Sequence, residues 1–164
     1  MEGNTGGTVR AVFIAPESEA TPDSVVAAEA VPRRGLRGDR YFDDAGTFTS
    51  WDDDEERPAG YDLTLIEREA VDAIERESGI GLEPGAHRRN VETEGVALNH
   101  LVDEQFYVGD VLCRGDRLCE PCDHLERLTE GGVREALLHR GGLRADVLEG
   151  GTIHAGDAVR RVEE

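Results

Sequence analysis

Two of the three cysteines in this chain fall within one short run, Leu118-Cys119-Glu120-Pro121-Cys122-Asp123-His124-Leu125. Thiols flanking a proline, with a carboxylate and an imidazole just after, open three kinds of chemistry. As a C-x-P-C pair the run matches a thiol–disulfide exchange site. Such a pair is expected after an early strand of a βαβ unit, opening a long helix, whereas this one lies in the last third of the chain with only a brief helical stretch behind it. Cys113, Cys119, Cys122 and His124 also form a Cys3His set for zinc. Structural zinc normally draws on two separated ligand pairs that wrap tetrahedrally around the ion, and Cys122 and His124 stand too close together to wrap easily. The third reading is a single reactive thiolate, with Pro121 fixing the backbone, the other cysteine packed nearby and arginines lowering the thiol pKa. A thiolate is the softest ligand a protein offers and suits a dithiolene-bound metal or a persulfide. Cys113 is expected to be a small buried hydrophobe on a strand. His124 either caps a short helix or shares a proton with Cys122.

A second constellation is Arg88-Arg89-Asn90. Two arginines on a very acidic protein can simply neutralise its surface. As a functional group they form an anion fork, because guanidinium binds phosphate bidentately and Asn90 adds a donor and an acceptor. The segment Gly35-Leu36-Arg37-Gly38-Asp39-Arg40 offers a further fork, with glycines that let backbone approach a ligand closely. Beside an isolated thiol segment, the two stretches point to a pocket for a phosphorylated ligand. His87, His100, His139 and His154 read as ordinary polar residues, and Glu120 and Asp123 as solvated ones.

The elements that must position these groups sit in an unusual charge background. The formal net charge is -18, acidic residues run along the whole length, and there is no lysine. Without lysine no internal aldimine with pyridoxal phosphate can form, and a lysine-based phosphate loop is excluded. The negative field opposes nonspecific attraction to nucleic acid or anionic membrane; its even spread matches proteins from salt-loaded cytoplasms, as in halophiles. No apolar run approaches the ~20 residues of a transmembrane helix, and the N-terminus lacks a basic, then apolar leader. A cytoplasmic protein of one domain, 1–164 with its core at about 25–162, is expected.

Alternation predicts strands at 8–14, 25–31, 61–66, 87–93 and 143–148, with 105–113 and 152–159 sharing a pattern of short apolar run, Gly-Asp turn and β-branched strand. Helices are expected at 67–78, closed by Gly79, and at 132–140, closed by Gly141-Gly142. Residues 43–58 read as a long polar insertion over one face, anchored by Trp51. About seven or eight strands and two helices make a mainly β fold with a few short helices, barrel-like rather than doubly wound.

In this order the pieces resemble the MOSC domain family, named from the C-terminal domain of molybdenum cofactor sulfurases. The matching stretches are Gly35-Leu36-Arg37-Gly38-Asp39-Arg40, Leu63-Thr64-Leu65-Ile66-Glu67, Arg88-Arg89-Asn90, Val108-Gly109-Asp110, Cys119-Glu120-Pro121-Cys122 with Leu125, Arg140-Gly141-Gly142-Leu143, and Gly150-Gly151 with Gly156-Asp157. The resemblance implies a β-barrel in which Cys122 carries persulfide sulfur or ligates molybdenum. It implies that Arg88, Arg89 and Asn90, with Arg37 as a further candidate, contact the phosphate or pterin of molybdenum cofactor (molybdopterin). The implied activities are sulfur transfer or molybdenum-dependent reduction of N-hydroxylated compounds. The implied partners are a cysteine desulfurase as sulfur donor, and a molybdoenzyme or redox partner. Neither the desulfurase domain nor the N-terminal barrel domain found in amidoxime-reducing relatives is present in this sequence. The readings that stand against it are a non-enzymatic Cys/His zinc- or ligand-binding module and a small C-x-P-C thiol oxidoreductase.

Overall fold

Period-two alternation governs the strands among the described residues, and short glycine-punctuated turns separate several of them. The computed structural model describes residues 6–15, 22–39, 59–119 and 132–162. Within these lie β1 Gly6–Ile14, β2 Asp23–Val25, β3 Ala27–Val31, β4 Gly35–Leu36, β5 Leu63–Glu67, β6 Val91–Glu94, β7 Gln105–Val108, β8 Val111–Leu118, β9 Leu143–Glu149, β10 Gly151–His154 and β11 Ala158–Arg161. Helix α1 spans Arg68–Ser78, α2 spans Val133–Ala136, and a 3-10 turn covers Leu98–Leu101.

Hydrogen bonding runs β11-β7-β8-β9-β5-β6-β1 and closes through a β11–β1 pairing, so seven strands form a barrel with no free edge among them. β2 extends the sheet from the far half of β1, and β10-β3-β4 form a small separate sheet. Within the barrel the β5–β6 pair is parallel, which requires the intervening α1 to cross over the outside. Alternation fills the interior: Val9, Val12, Leu63, Leu65, Val91, Phe106, Val111, Cys113, Leu143, Ala145 and Val159 pack into one buried cluster.

Ile66 points the opposite way and nucleates a second cluster outside the wall with Val71 and Ile74 of α1, Ile80, Val133 and Leu137. Helix α1 ends as its sequence dictates. Gly79 takes the left-handed conformation at φ 71° and donates its N–H to the Glu75 carbonyl. Full burial of Ile74 ties the helix to the barrel; truncating such a side chain costs about 2–5 kcal/mol.

Three expectations are corrected. The run at 25–31 breaks at Val26, which is 84% exposed, so β2 pairs with β1 at the edge of the large sheet and β3 joins the small one. The stretch 87–93 is not one strand: β6 starts only at Val91, because residues 85–90 fold into turns with Arg88 at φ 64°. The second helix is four residues long, and 137–140 continue as turns. The 43–58 insertion and Trp51 lie outside the described residues. No described helix is long and apolar enough to cross a membrane.

Candidate functional site

The arginine turn and the start of the thiol segment meet on the outside of the barrel wall. Cys119 extends the β8–β9 pairing by one step, its N–H donating to the Gly142 carbonyl at 2.7 Å. That approach demands glycine at 142: φ is 116°, and a Cβ there would collide with the Leu65 carbonyl oxygen of β5. Cys119 itself is buried and not in a disulfide. Cys122 and its neighbours Glu120, Pro121, Asp123 and His124 lie outside the described residues.

Arg89 fastens this corner. Its Nε–H donates to the Gly141 carbonyl at 2.8 Å, Nη1 to the His87 carbonyl at 3.1 Å and Nη2 to the Cys119 carbonyl at 3.1 Å. The side chain is buried, so one cation satisfies backbone oxygens from three segments that otherwise have no common strand.

His87 shapes the turn that carries Arg88. The Arg89 backbone N–H donates to His87 Nδ1 at 3.0 Å, which makes Nδ1 an acceptor and puts the ring proton on Nε2. Nε2 then donates to Glu92 Oε1 at 3.0 Å, and the other Glu92 oxygen takes the Arg68 guanidinium at 3.5 Å. The Phe13 ring meets His87 edge-on at 5.4 Å. Burial pushes the imidazole below its ordinary pKa against the pull of Glu92, so it stays neutral. Burial alone would raise the Glu92 carboxyl; hydrogen bonding to His87 and the nearby Arg68 charge outweigh that and hold it below the usual carboxylate range. Arg88 is left half-buried in a left-handed conformation that few non-glycine residues adopt, its N–H closing a turn on the Gly85 carbonyl at 2.9 Å.

Asn90 is turned into the wall. Its Oδ1 accepts from Thr64 N–H and from Thr64 Oγ1, each at 3.1 Å, while Nδ2 donates to the Phe13 carbonyl at 3.3 Å and to Asp39 Oδ1 at 3.4 Å. Asp39 Oδ1 also takes the Ala15 N–H at 2.9 Å, so the 35–39 loop and the 88–90 turn are drawn together across the end of β1. Arg37 stands on the same loop, exposed and paired with Glu29 at 2.9 Å. Arg40 lies outside the described residues.

Cys113 is remote from this corner. It is fully buried in the barrel interior, and burial drives its thiol pKa far upward, so it remains a protonated hydrophobe. Its place in the interior cluster, which does not include Cys119, sets it apart from the thiol segment. The His87–Glu92 pair and Thr64 were missed by sequence reasoning. The spacing of His87 and Glu92 matches no strand or helix face until the turn at 85–90 is known; Thr64 stood on an expected strand and in a family-like stretch, with no role of its own.

The architecture is a closed β-barrel on which Arg89 ties the Cys119 carbonyl to the turn that carries Arg88. A MOSC domain model matches residues 57–160, more than half of the chain, and the chain belongs to the MOSC domain family. Among solved structures it is similar to the YuaD protein of Bacillus subtilis, at TM-score 0.79 and 14% identity over 97% of each chain. It is also similar to YiiM of Escherichia coli, at TM-score 0.69 and 17% identity over 97% of this chain and 70% of that one. A third likeness, to YiiM of Geobacillus stearothermophilus, has TM-score 0.54 and 21% identity over 62% of this chain and 54% of that one. At these identities the likenesses establish the fold. No curated protein matches.

Proposed function

We propose that this MOSC domain handles molybdenum cofactor or its sulfur through Cys122, in the cytoplasm of a salt-adapted cell. The observation that carries the reading is the Arg89 clamp. It ties the carbonyl of Cys119, three residues before Cys122, to the turn that presents Arg88. A thiol segment anchored to an arginine turn suits a ligand with a soft-metal or sulfur end and a phosphate end.

The chemistry of the residues around the clamp supports such a group. Among the described residues no set of three His, Cys, Asp or Glu side chains could hold a bare metal ion. A metal held mainly by its own organic ligand needs only one protein thiolate, which Cys122 would supply. Bound there, the cofactor would supply oxygen- or sulfur-transfer chemistry. Arg88 would meet the phosphate or pterin, while Arg89 and Asn90 contribute through the backbone and loop they hold. Arg37 would join by exchanging Glu29 for the ligand. In the sulfur-carrying role, the Cys122 thiolate attacks the terminal sulfur of a donor persulfide; the new S–S bond forms as the old one breaks, and the donor leaves as a thiolate. The donor would be a cysteine desulfurase, and the recipient a molybdoenzyme or redox partner. With no lysine in the chain, pyridoxal phosphate is not held covalently here.

The test is molybdenum and pterin content of protein made in a cofactor-producing host, reduced and at high salt, beside Cys122→Ala. Molybdenum with pterin in the wild type and its loss in the variant support cofactor binding. A persulfide on Cys122 after incubation with a desulfurase supports the carrier role. Zinc bound in proportion to Cys119 and Cys122 together would sink both.

A further inference from the structure

Arg144 of β9 faces Arg117 of β8 directly across the strand pair, with Thr64 of β5 on its other side. Like charges in facing positions are unfavourable, and this chain has twice as many acidic residues as arginines with which to avoid it. The two guanidiniums are instead gathered on one ring: Arg117 lies 5.5 Å and Arg144 5.1 Å from the centroid of Tyr61. Arg117 is further tethered by Asp116 and by the Ala59 carbonyl at 3.1 Å. The Arg144 guanidinium has no hydrogen bond or ion pair with the described residues, although the residue is half-buried. Arg76 and Arg160 also lack a carboxylate partner there, but both are exposed to solvent.

The pair is close to the thiol segment. The next cross-strand step is Leu118 opposite Leu143, and the one after is the Cys119–Gly142 hydrogen bond. Thr64, on the other side of Arg144, is the residue that grips Asn90. Long-range repulsion by the -18 chain is screened beyond about 10 Å at ~0.1 M salt, so local guanidiniums decide what binds.

We propose that Arg144 and Arg117, held over Tyr61, form a binding site for the phosphate of a phosphomonoester beside the thiol segment. Tyr61 orients both planar cations and leaves their N–H edges for oxygen acceptors. The phosphate would supply the counter-charge that no carboxylate of the described wall gives Arg144. This rests on the cofactor reading only for what the other end of the ligand is; the anion site needs no metal.

The probe is glycerol 3-phosphate, titrated calorimetrically into the full chain at fixed ionic strength set with KCl. Arg144→Ala should weaken binding by about tenfold to a hundredfold, the range for losing hydrogen bonds to a charged group. Arg144→Lys should fall between, because a point charge replaces a fork. Arg160→Ala removes an arginine that sits 4.6 Å from a tyrosine ring, Tyr107, without a facing arginine, and should change affinity less than twofold. Wild type that binds no glycerol 3-phosphate, or an Arg160→Ala loss equal to that of Arg144→Ala, overturns the proposal. Absence of molybdenum from the same wild-type preparations would refute the cofactor reading alone, and the titration would still decide this site.

Discussion

Arg89 is the strongest place to test how this site is built. Its guanidinium is 8% exposed and donates to the carbonyls of Gly141, His87 and Cys119. Each charge-assisted bond is worth roughly 1.5–3 kcal/mol, and stranding a buried carbonyl costs a comparable amount. The terms do not add, because burying the cation has its own desolvation cost and water can reach part of the corner. A net loss of about 3–5 kcal/mol is expected for Arg89→Ala, a large share of the ~5–15 kcal/mol that holds a typical domain. Arg89→Met separates the causes: it keeps the aliphatic stem but has no donor, so it should recover only the packing share, about 1 kcal/mol. Arg89→Lys keeps the charge but cannot fork to three carbonyls, and should recover less than half. The assay is urea unfolding in high salt, with unchanged slope and a lowered midpoint. Freed of its carbonyl anchor, Cys119 should also alkylate faster in the variants, as read by peptide mass spectrometry. Arg89→Ala or Arg89→Met within ~1 kcal/mol of wild type would refute the clamp, since a surface anion ligand is expected to cost that little.

Three further outcomes follow from the same geometry. His87 is held below its ordinary pKa of 6.5 by burial, so the unfolded chain binds its proton first as pH falls. Its contribution is therefore complete above about pH 6.5 and is lost as pH drops toward the lower folded value; the stability difference between wild type and His87→Gln, measured from pH 8 to 5, should shrink in that direction, and a constant difference would contradict a neutral buried ring. Gly142→Ala places a Cβ on the Leu65 carbonyl at a φ of 116° and should cost about 3 kcal/mol or more, seen as a lowered thermal midpoint; a variant as stable as wild type would refute the close approach. Cys113, its thiol pKa pushed far up by burial, should resist iodoacetamide in the native state and react only in denaturant; native-state labelling there would mean the barrel interior opens.

The barrel was legible because its signal is local. Strands such as β9 alternate plainly, and the Gly-Asp turns before β8 and β11 end one run and begin the next. Closure through β11 and β1 was not legible, since the pairing of Gly7 with Val159 joins the two ends of the chain and leaves no local mark. At the site, sequence grouped the right stretches but could not assign their labour. Arg88 and Arg89 are adjacent and chemically identical, yet the left-handed backbone of Arg88 itself turns Arg89 inward and leaves Arg88 half-exposed. The cause is His87, whose ring accepts the Arg89 N–H; a histidine with no motif around it gave no hint of that. The facing pair of Arg117 and Arg144 depends on strand register across a bulge between Gly115 and Arg117, a feature no period can reveal.

Acidity sharpens what each arginine partner means. On a chain of net charge -18 a carboxylate is the default neighbour, and Arg10, Arg37, Arg68, Arg114, Arg140 and Arg161 all have one. Such exposed pairs are worth at most ~1 kcal/mol and weaken with salt. Arg89 and Arg144 depart from that pattern in opposite ways. Arg89 is buried on backbone carbonyls, where removing it strands acceptors, and its effect should persist in high salt. Arg144 is half-buried beside a second cation and a ring, so removing it should leave stability almost unchanged, or raise it by relieving the facing charge. A salt-resistant stability loss in Arg89→Ala together with an unaltered or higher midpoint in Arg144→Ala would therefore divide the two by role without reference to any ligand. Equal losses in both would mean that Arg144 is scaffold, and the phosphate site would lose its physical basis.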